Sequence, residues 1–223
     1  LQKSNWDNAF SLIHDQIIKR GKQNSVFLSG KFTDAETLFS AKKFSESLKS
    51  FYYDCRFDNA QFIENSNESF KFNSTIQEIE NSDAILLIGT NPRWEAAVLN
   101  ARIRKTFLEN NCQIGVIGPK VNQTYRYNHL SDSLNYLNEL SDGNTDFNKV
   151  LNKAKNPLII IGTSAINTAD GKKILETSAA LAKKIQKNKD INPLNILYQD
   201  ISRVGALELN FYNKYFDSNY NLQ

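Results

Sequence analysis

The chain has 223 residues, 40% of them hydrophobic and 23% charged, with a net charge of +3 and a mean hydropathy of -0.49. These are globular proportions, and 14 Phe with 9 Tyr exclude a disordered polyelectrolyte; the length suits one large domain or two small ones. Lys and Arg alternate with Glu and Asp in no basic stripe, which argues against nucleic-acid binding, and no apolar run approaches the ~18 residues that cross a bilayer.

The first expected element is a helix over residues 6–20, with Phe10, Ile13, Ile17 and Ile18 on one face. A short strand follows at 25–29. Thr33 and Glu36 then have the spacing of a capping box, in which Thr33 accepts from an orphan backbone N–H and Glu36 reaches back. That helix should run to about Ser50 and lead to a strand at 51–55. Residues 59–73 are polar and irregular, and read as an ordered loop. The next strand, 84–89, ends at Gly89. Asn91 suits an N-cap and Pro92 the first helical position, where Pro has no useful N–H to lose, so a helix is expected over 92–109. After a strand at 113–118, the Tyr-, Asn- and Ser-rich stretch 121–132 reads as a loop. A strand at 158–162, a helix at 169–187 and a weaker strand at 194–197 complete the pattern. Short β-branched runs alternating with amphipathic stretches predict an α/β fold: a Rossmann-like parallel sheet with helices on both faces. One such domain is expected over 1–223, and any division into two subdomains is expected near 120–150.

Few residues invite chemistry. Cys55 and Cys112 are far apart, with no CxxC, so this chain alone lacks the four thiolates of an iron–sulfur cluster. Each lies at the edge of an expected strand, where a buried neutral thiol is the simpler reading. His14 and His129 have no partner at metal-ligand spacing, and Ser164 lacks the second Gly of a nucleophile elbow. The turn 89–91 stands at a strand's carboxyl end, where open α/β sheets bind ligands, but it is not a GxGxxG. Arg93 and Arg104 are eleven residues apart, close to three helical turns, and so share a face with Ala97 and Asn100. With Arg102, they are expected to make structural pairs or to contact neighbouring subunits. In the tail, Phe211 and Tyr215 are four apart, as are Tyr212 and Phe216, and Tyr220 follows. These five aromatics are expected to anchor an interface with another chain.

The segment DAILLIGTNPRWEAAVLNARIRK at 83–105 resembles the LLIGTNPRxEAPxxNARIRK signature of the large iron–sulfur subunit family of respiratory complex I. The resemblance continues through Trp6 and Ala9, through Asp34, Ala35, Glu36 and Leu38, and through Gly118, Thr124, Tyr125, Tyr127 and His129. It extends to Ser164, Ala165, Asp170 and Gly171, to Asn195–Leu197, and to Val204–Leu207, so it spans Trp6 to about Phe211. Ala97 departs from the family, which usually has Pro there.

The resemblance implies a molybdopterin-oxidoreductase-like domain that has kept the fold and lost the cofactor. It implies no catalytic, cofactor-binding or metal residue on this chain, with Gly89, Asn91, Pro92, Arg93, Asn100, Arg102 and Arg104 as structural signature positions. The family's cluster ligands belong to an N-terminal region with no counterpart here. Iron–sulfur clusters are therefore expected on a partner chain, the other half of a split subunit. The chain opens on Leu1 and contains no Met, so Leu1 is not expected to be an untouched translation start. The implied role is a scaffold within NADH:ubiquinone oxidoreductase, peripheral on the matrix side of the mitochondrial inner membrane (the cytoplasmic side in a bacterium), among other peripheral-arm subunits. The competing reading is a molybdopterin-binding oxidoreductase module of the formate dehydrogenase kind. That needs a metal-ligating Cys or Ser and many Gly-rich loops, against which stand only 9 Gly.

Overall fold

The computed structural model describes residues 3–64 and 66–213. In chain order the elements are α1 (Trp6–Arg20), β1 (Val26–Leu28), α2 (Ala35–Ser47), β2 (Tyr52–Asp54), α3 (Ile76–Glu80), β3 (Ala84–Ile88), α4 (Pro92–Glu95) and α5 (Ala97–Glu109). They continue with β4 (Gln113–Ile117), β5 (Asn128–Ser131), α6 (Tyr136–Ser141), α7 (Asp146–Lys153), β6 (Pro157–Gly162), α8 (Thr163–Ile166), α9 (Gly171–Ile185), β7 (Leu194–Leu197) and α10 (Arg203–Glu208). The chain forms two compact units. Unit 1 comprises residues 1–57 and 200–223, and unit 2 residues 58–199. The boundaries are thus near 57 and 200; residues 120–150, the expected place of division, lie inside unit 2.

Unit 2 is built on a parallel sheet of order β5-β4-β3-β6-β7. All five residues of β3 are buried, and they serve two cores in alternation, as the two-residue period of a strand requires. Ala84, Leu86 and Ile88 pack with side chains of α6, α7 and α9. Ile85 and Leu87 pack with Ile79 of α3 and Leu99 and Ile103 of α5. Helices cover both faces, and each buried aliphatic side chain contributes about 1.5–3 kcal/mol. The capping box of this unit opens α3: Thr75 Oγ1 accepts from Glu78 N at 3.2 Å, and Glu78 Oε2 accepts from Thr75 N at 2.6 Å.

Two expectations change in unit 2. Residues 128–131, expected in a loop, form the edge strand β5, which pairs with β4 across a register shift at Val116/Ile117. Asn-His-Leu-Ser has no β-branched run, so pairing rather than propensity makes this strand. The helix expected over 92–109 breaks at Ala96, which is extended at φ -153°, ψ 70°. A Pro at position 97, the usual family residue, would hold its predecessor in an extended conformation. Ala96 keeps that conformation here with Ala at 97.

Unit 1 is a single β1–α2–β2 crossover with parallel strands, extended by α1 and α10. Helix α2 covers one face of the pair, where Phe27 meets Phe44 edge-on at a centroid distance of 5.7 Å. The N-cap of α2 is Asp34, not Thr33: Asp34 Oδ1 accepts from Thr37 N at 2.7 Å, while Thr33 Oγ1 donates to Gly30 O. Asp34 is one residue closer and carries a full charge at the helix start, which lowers the pKa of its carboxyl through the Thr37 bonds. Polar knots hold the rest. Asp54 takes a two-pronged bond from Arg56, at 3.0 and 2.8 Å, and Asp200 pairs with Arg203 at 2.7 Å and Lys31 at 3.1 Å. Phe211 and Tyr212 correct the expectation of an outward-facing tail. Phe211 is 1% exposed, its ring tilted against Tyr53 at a centroid distance of 5.2 Å, and Tyr212 is buried with Arg56 over its ring, so both are spent within unit 1. Tyr215, Phe216 and Tyr220 lie outside the described residues. Helix α1 has the expected bounds, with Asn5 as its N-cap, yet none of its residues is buried.

Candidate functional site

The sheet order places β4 and β5 on one side of β3 and β6 and β7 on the other, so the crossovers diverge between β3 and β6. Their carboxyl ends form the switch point at which doubly wound sheets take ligands. Here that point is filled by the chain's own backbone. Gly89 ends β3 in the left-handed region at φ +54°, and a Cβ on it would lie 2.6 Å from Ala165 Cβ and 2.9 Å from Ala165 N. Gly162 ends β6, and a Cβ there would lie 2.4 Å from Gly89 O. Ser164 Oγ donates to the same Gly89 carbonyl, and Gly89 N donates to Ile117 O at 2.9 Å. Both glycines are required by contact between backbones rather than by the approach of a ligand.

The start of α4 is occupied in the same way. Asn91 holds the N-cap position but makes no side-chain capping bond. Glu95 does that work: its Oε1 accepts from Asn91 N at 3.0 Å and its Oε2 from Thr90 Oγ1 at 2.7 Å. A carboxylate of this chain thus takes the donors that a bound anion would use at a strand–turn–helix junction. Glu95 was not singled out from sequence. It stands four residues beyond Asn91, one more than the capping-box spacing, so the pattern does not flag it.

Several signature residues make structural bonds in or beside this turn and along α5. Pro92 is buried at the first position of α4. Arg93 Nη1 donates to Asn122 O at 3.3 Å, and Arg104 Nε to Thr124 O at 3.3 Å. Between them, buried Asn100 Nδ2 donates to Gln123 O at 3.4 Å and Thr124 Oγ1 at 3.3 Å. The shared face of these residues survives the break at Ala96, and all three brace the 122–124 loop, where Thr124 has φ +71°. Arg104 is exposed, so its face is not buried as a whole. Arg102 points elsewhere: with Lys105 it grips Glu80, tying α5 to α3, and these bonds, that of Lys105 foremost, lower the Glu80 pKa.

The remaining candidates are quiet. Burial pushes the Cys55 thiol up to about 11 and the Cys112 thiol to about 12, so both stay protonated and poor as ligands. His129 Nε2 lies 3.0 Å from Gly118 O and 3.3 Å from Asp132 Oδ1, on β5, while His14 is exposed beside Asp15. Ser164 is engaged with Gly89 O. Among the described residues, no three His, Cys, Asp or Glu side chains stand together as a metal site, and no helix is long and apolar enough to cross a membrane.

The molybdopterin oxidoreductase family profile matches residues 1–221. The chain is 35% identical over 218 residues to the mitochondrial NADH-ubiquinone oxidoreductase 78 kDa subunit of Candida albicans, covering 94% of this chain and 30% of that protein. It is 35% identical over 219 residues to the NADH-ubiquinone oxidoreductase 75 kDa subunit of Reclinomonas americana, covering 92% and 32%. It is 30% identical over 209 residues to the mitochondrial NADH dehydrogenase (ubiquinone) iron-sulfur protein 1 of Solanum tuberosum, covering 93% and 28%. The chain therefore spans about 30% of the length of these curated relatives. With a switch point, a parallel sheet and a signature turn arranged as described, the chain belongs to the molybdopterin oxidoreductase family.

Proposed function

We propose that this chain is a scaffold domain of NADH:ubiquinone oxidoreductase, supporting electron transfer from NADH to quinone without a redox centre of its own. The observation that carries this reading is the Glu95 carboxylate seated on Asn91 N and Thr90 Oγ1 at the switch point. A pterin dinucleotide would need those donors for phosphate, and space where Ala165 and Ser164 now press on Gly89. The residues present do not fit that group at this turn. Glu95 would repel its phosphates, and opening the turn would break the β3–β6 contact. The relatives are subunits of an NADH-ubiquinone oxidoreductase, and one is named an iron-sulfur protein. These names support assembly of this chain with the other subunits of that complex; on this reading the clusters lie outside the residues of this chain, in a peripheral arm on the matrix side of the mitochondrial inner membrane.

The test is native electrophoresis of mitochondrial membranes, with in-gel NADH dehydrogenase staining and mass spectrometry of the active band. The chain is expected in that band together with a cluster-bearing polypeptide. The purified chain is expected to carry no stoichiometric iron or molybdenum by elemental analysis. Molybdenum bound to the chain, or its absence from the band, would overturn the reading in favour of a molybdopterin-binding module.

A further inference from the structure

The cations along α4 and α5 divide into two groups. Arg102 and Lys105 share the Glu80 carboxylate, with Lys105 Nζ 2.7 Å from its Oε2. Arg93 and Arg104 instead donate to the main-chain carbonyls of Asn122 and Thr124. The loop that they brace brings two further cations, Lys120 and Arg126, both exposed. Residues 118–131 contain no Asp or Glu, and among the described residues none of these four cations is in an ion pair. One unpaired cation in water is ordinary. Four around one short loop, with no carboxylate among them, make a positive field that favours an anionic partner.

Aromatic side chains adjoin this charge, all within unit 2. Trp94 is 79% exposed, the most of the large hydrophobic side chains described in this unit, and Arg93 lies over its ring at 5.7 Å from the centroid. The loop also borders a groove of about 860 Å³, lined by Phe107, Tyr125 and Tyr127 together with Lys120 and Arg126. The chain's own bonds shape this groove. Tyr127 Oη donates to Val121 O at 2.5 Å and accepts from Val121 N at 3.0 Å, and the rings of Phe107 and Tyr125 meet at a centroid distance of 6.1 Å. A wall already fixed in this way costs little ordering when a partner binds.

We propose that the groove, the 120–126 loop and Trp94 form the docking surface for an acidic, extended segment of another subunit of the complex. Its carboxylates pair with Lys120, Arg126 and the remaining N–H groups of Arg93 and Arg104, and its apolar side chains lie against Trp94 and the rings of the groove. This rests on the scaffold reading above. The occupant follows from charge. Cations distributed over a loop and two helices suit several spaced carboxylates, whereas a compact phosphate needs convergent donors, and those at the start of α4 are already taken by Glu95. An exposed Trp beside an Arg is the pairing of residue types that most often anchors a protein interface.

The experiment treats the purified native complex with a water-soluble carbodiimide, which couples amines directly to carboxylates in contact, and maps the joined peptides by mass spectrometry. Lys105 is expected to join Glu80 and serves as the internal control. Lys120 is expected to join an Asp or Glu within a carboxylate-rich stretch of another subunit. Lys120 joined to its own polypeptide, or left uncoupled where Lys105 couples, as it would be in open water or beneath a phospholipid headgroup, would overturn the proposal. In parallel, the pair Lys120→Glu and Arg126→Glu should reduce the assembled complex at least about tenfold without shifting the urea midpoint of the chain, because complementary charge is reversed on two exposed side chains. The pair Lys120→Arg and Arg126→Lys should assemble normally. Unchanged assembly of the reversed pair would also overturn the proposal, and the carbodiimide result, which needs no substitution, decides the matter if that pair fails to fold. If the chain is in the active band but Lys120 stays uncoupled, the surface assignment alone fails; if the chain is absent from the band, the functional reading fails and the named occupant with it.

Discussion

Both units start from the same local logic, a short parallel strand followed by an amphipathic helix, and they end differently. In unit 2 the central strand β3 is buried along its whole length, and both hydrophobic core clusters of the described residues lie within this unit. In unit 1 the strands keep Val26, Leu28 and Tyr52 exposed on one face, where only Asp54 is buried; no residue of α1 is buried, and the most enclosed side chains include the Arg203–Asp200 ion pair. Unit 2 is held mainly by non-directional apolar burial and needs no further layer. Unit 1 is held by a few aromatic contacts and by ion pairs, whose strength depends on geometry and desolvation. Stability should therefore be uneven along the chain, with unit 1 opening first.

The largest effect should come from Asp200→Ala. It removes the Asp200 carboxylate from Arg203, whose side chain is 2% exposed, and from Lys31, at a cost of about 2–3 kcal/mol. Hydrogen exchange should then accelerate in β1 and β2 while β3 stays protected. Loss of protection in β3 at the same rate would show that the units unfold together and would break the comparison.

A smaller change is expected from Glu95→Gln in unit 2. Gln retains one acceptor, so the turn should lose about 1–2 kcal/mol by urea unfolding, the worth of a charge-assisted bond. A stabilised variant would mean that the carboxylate is strained there and that the site is kept for another partner.

The two thiols sharpen the contrast by pH. Both pKa values are raised on folding from an ordinary value of 9.0, to about 11 for Cys55 in unit 1 and about 12 for Cys112 in unit 2, chiefly by burial. The folded state therefore holds more protons above pH 9. The stability that each neutral thiol contributes is fully present below pH 9 and is lost as pH rises, up to about 11 in unit 1 and about 12 in unit 2. At pH 8, iodoacetamide should leave both thiols unmodified in the folded chain and label both in urea. If Cys55 alone is labelled without urea, unit 1 opens on the timescale of alkylation.

The smallest effect is expected from Phe10→Ser on α1. The ring is 60% exposed, so the isolated chain should change by no more than about 0.5 kcal/mol in urea unfolding. A loss several times larger would show that α1 is already packed in the free chain.

Much of unit 2 was legible because burial on both faces leaves a strong trace. A strand such as β3 must be apolar at every position, and Ala-Ile-Leu-Leu-Ile cannot be read otherwise. Pro92 and Asn91 marked the helix start correctly. Edge strand β5 left no such trace, because Asn128 to Ser131 are only partly covered and their conformation comes from β4. Glu95 stands in the quoted signature, but its capping role was not legible because its partner donors are set by how the turn closes; nor was the break at Ala96, because Ala accepts either conformation. Thr33 satisfied the capping-box pattern, yet Asp34 won by position and charge.

The parallel sheet, its buried strands and the signature turn followed from sequence alone, since each depends on the local periodicity of apolar residues and on Gly, Pro and Asn at fixed places; edge strand β5 and the short helices α3, α6, α7 and α10 did not. Tertiary structure alone decided three things. It decided that the units divide near 57 and 200, because sheet pairing rather than chain continuity groups the segments. It turned Phe211 and Tyr212 inward, because Tyr53 and Arg56 offered them a surface within their own unit. And it left the apolar stripe of α1 uncovered: periodicity tells which face of a helix seeks burial, while only the arrangement of the other elements determines whether anything meets it.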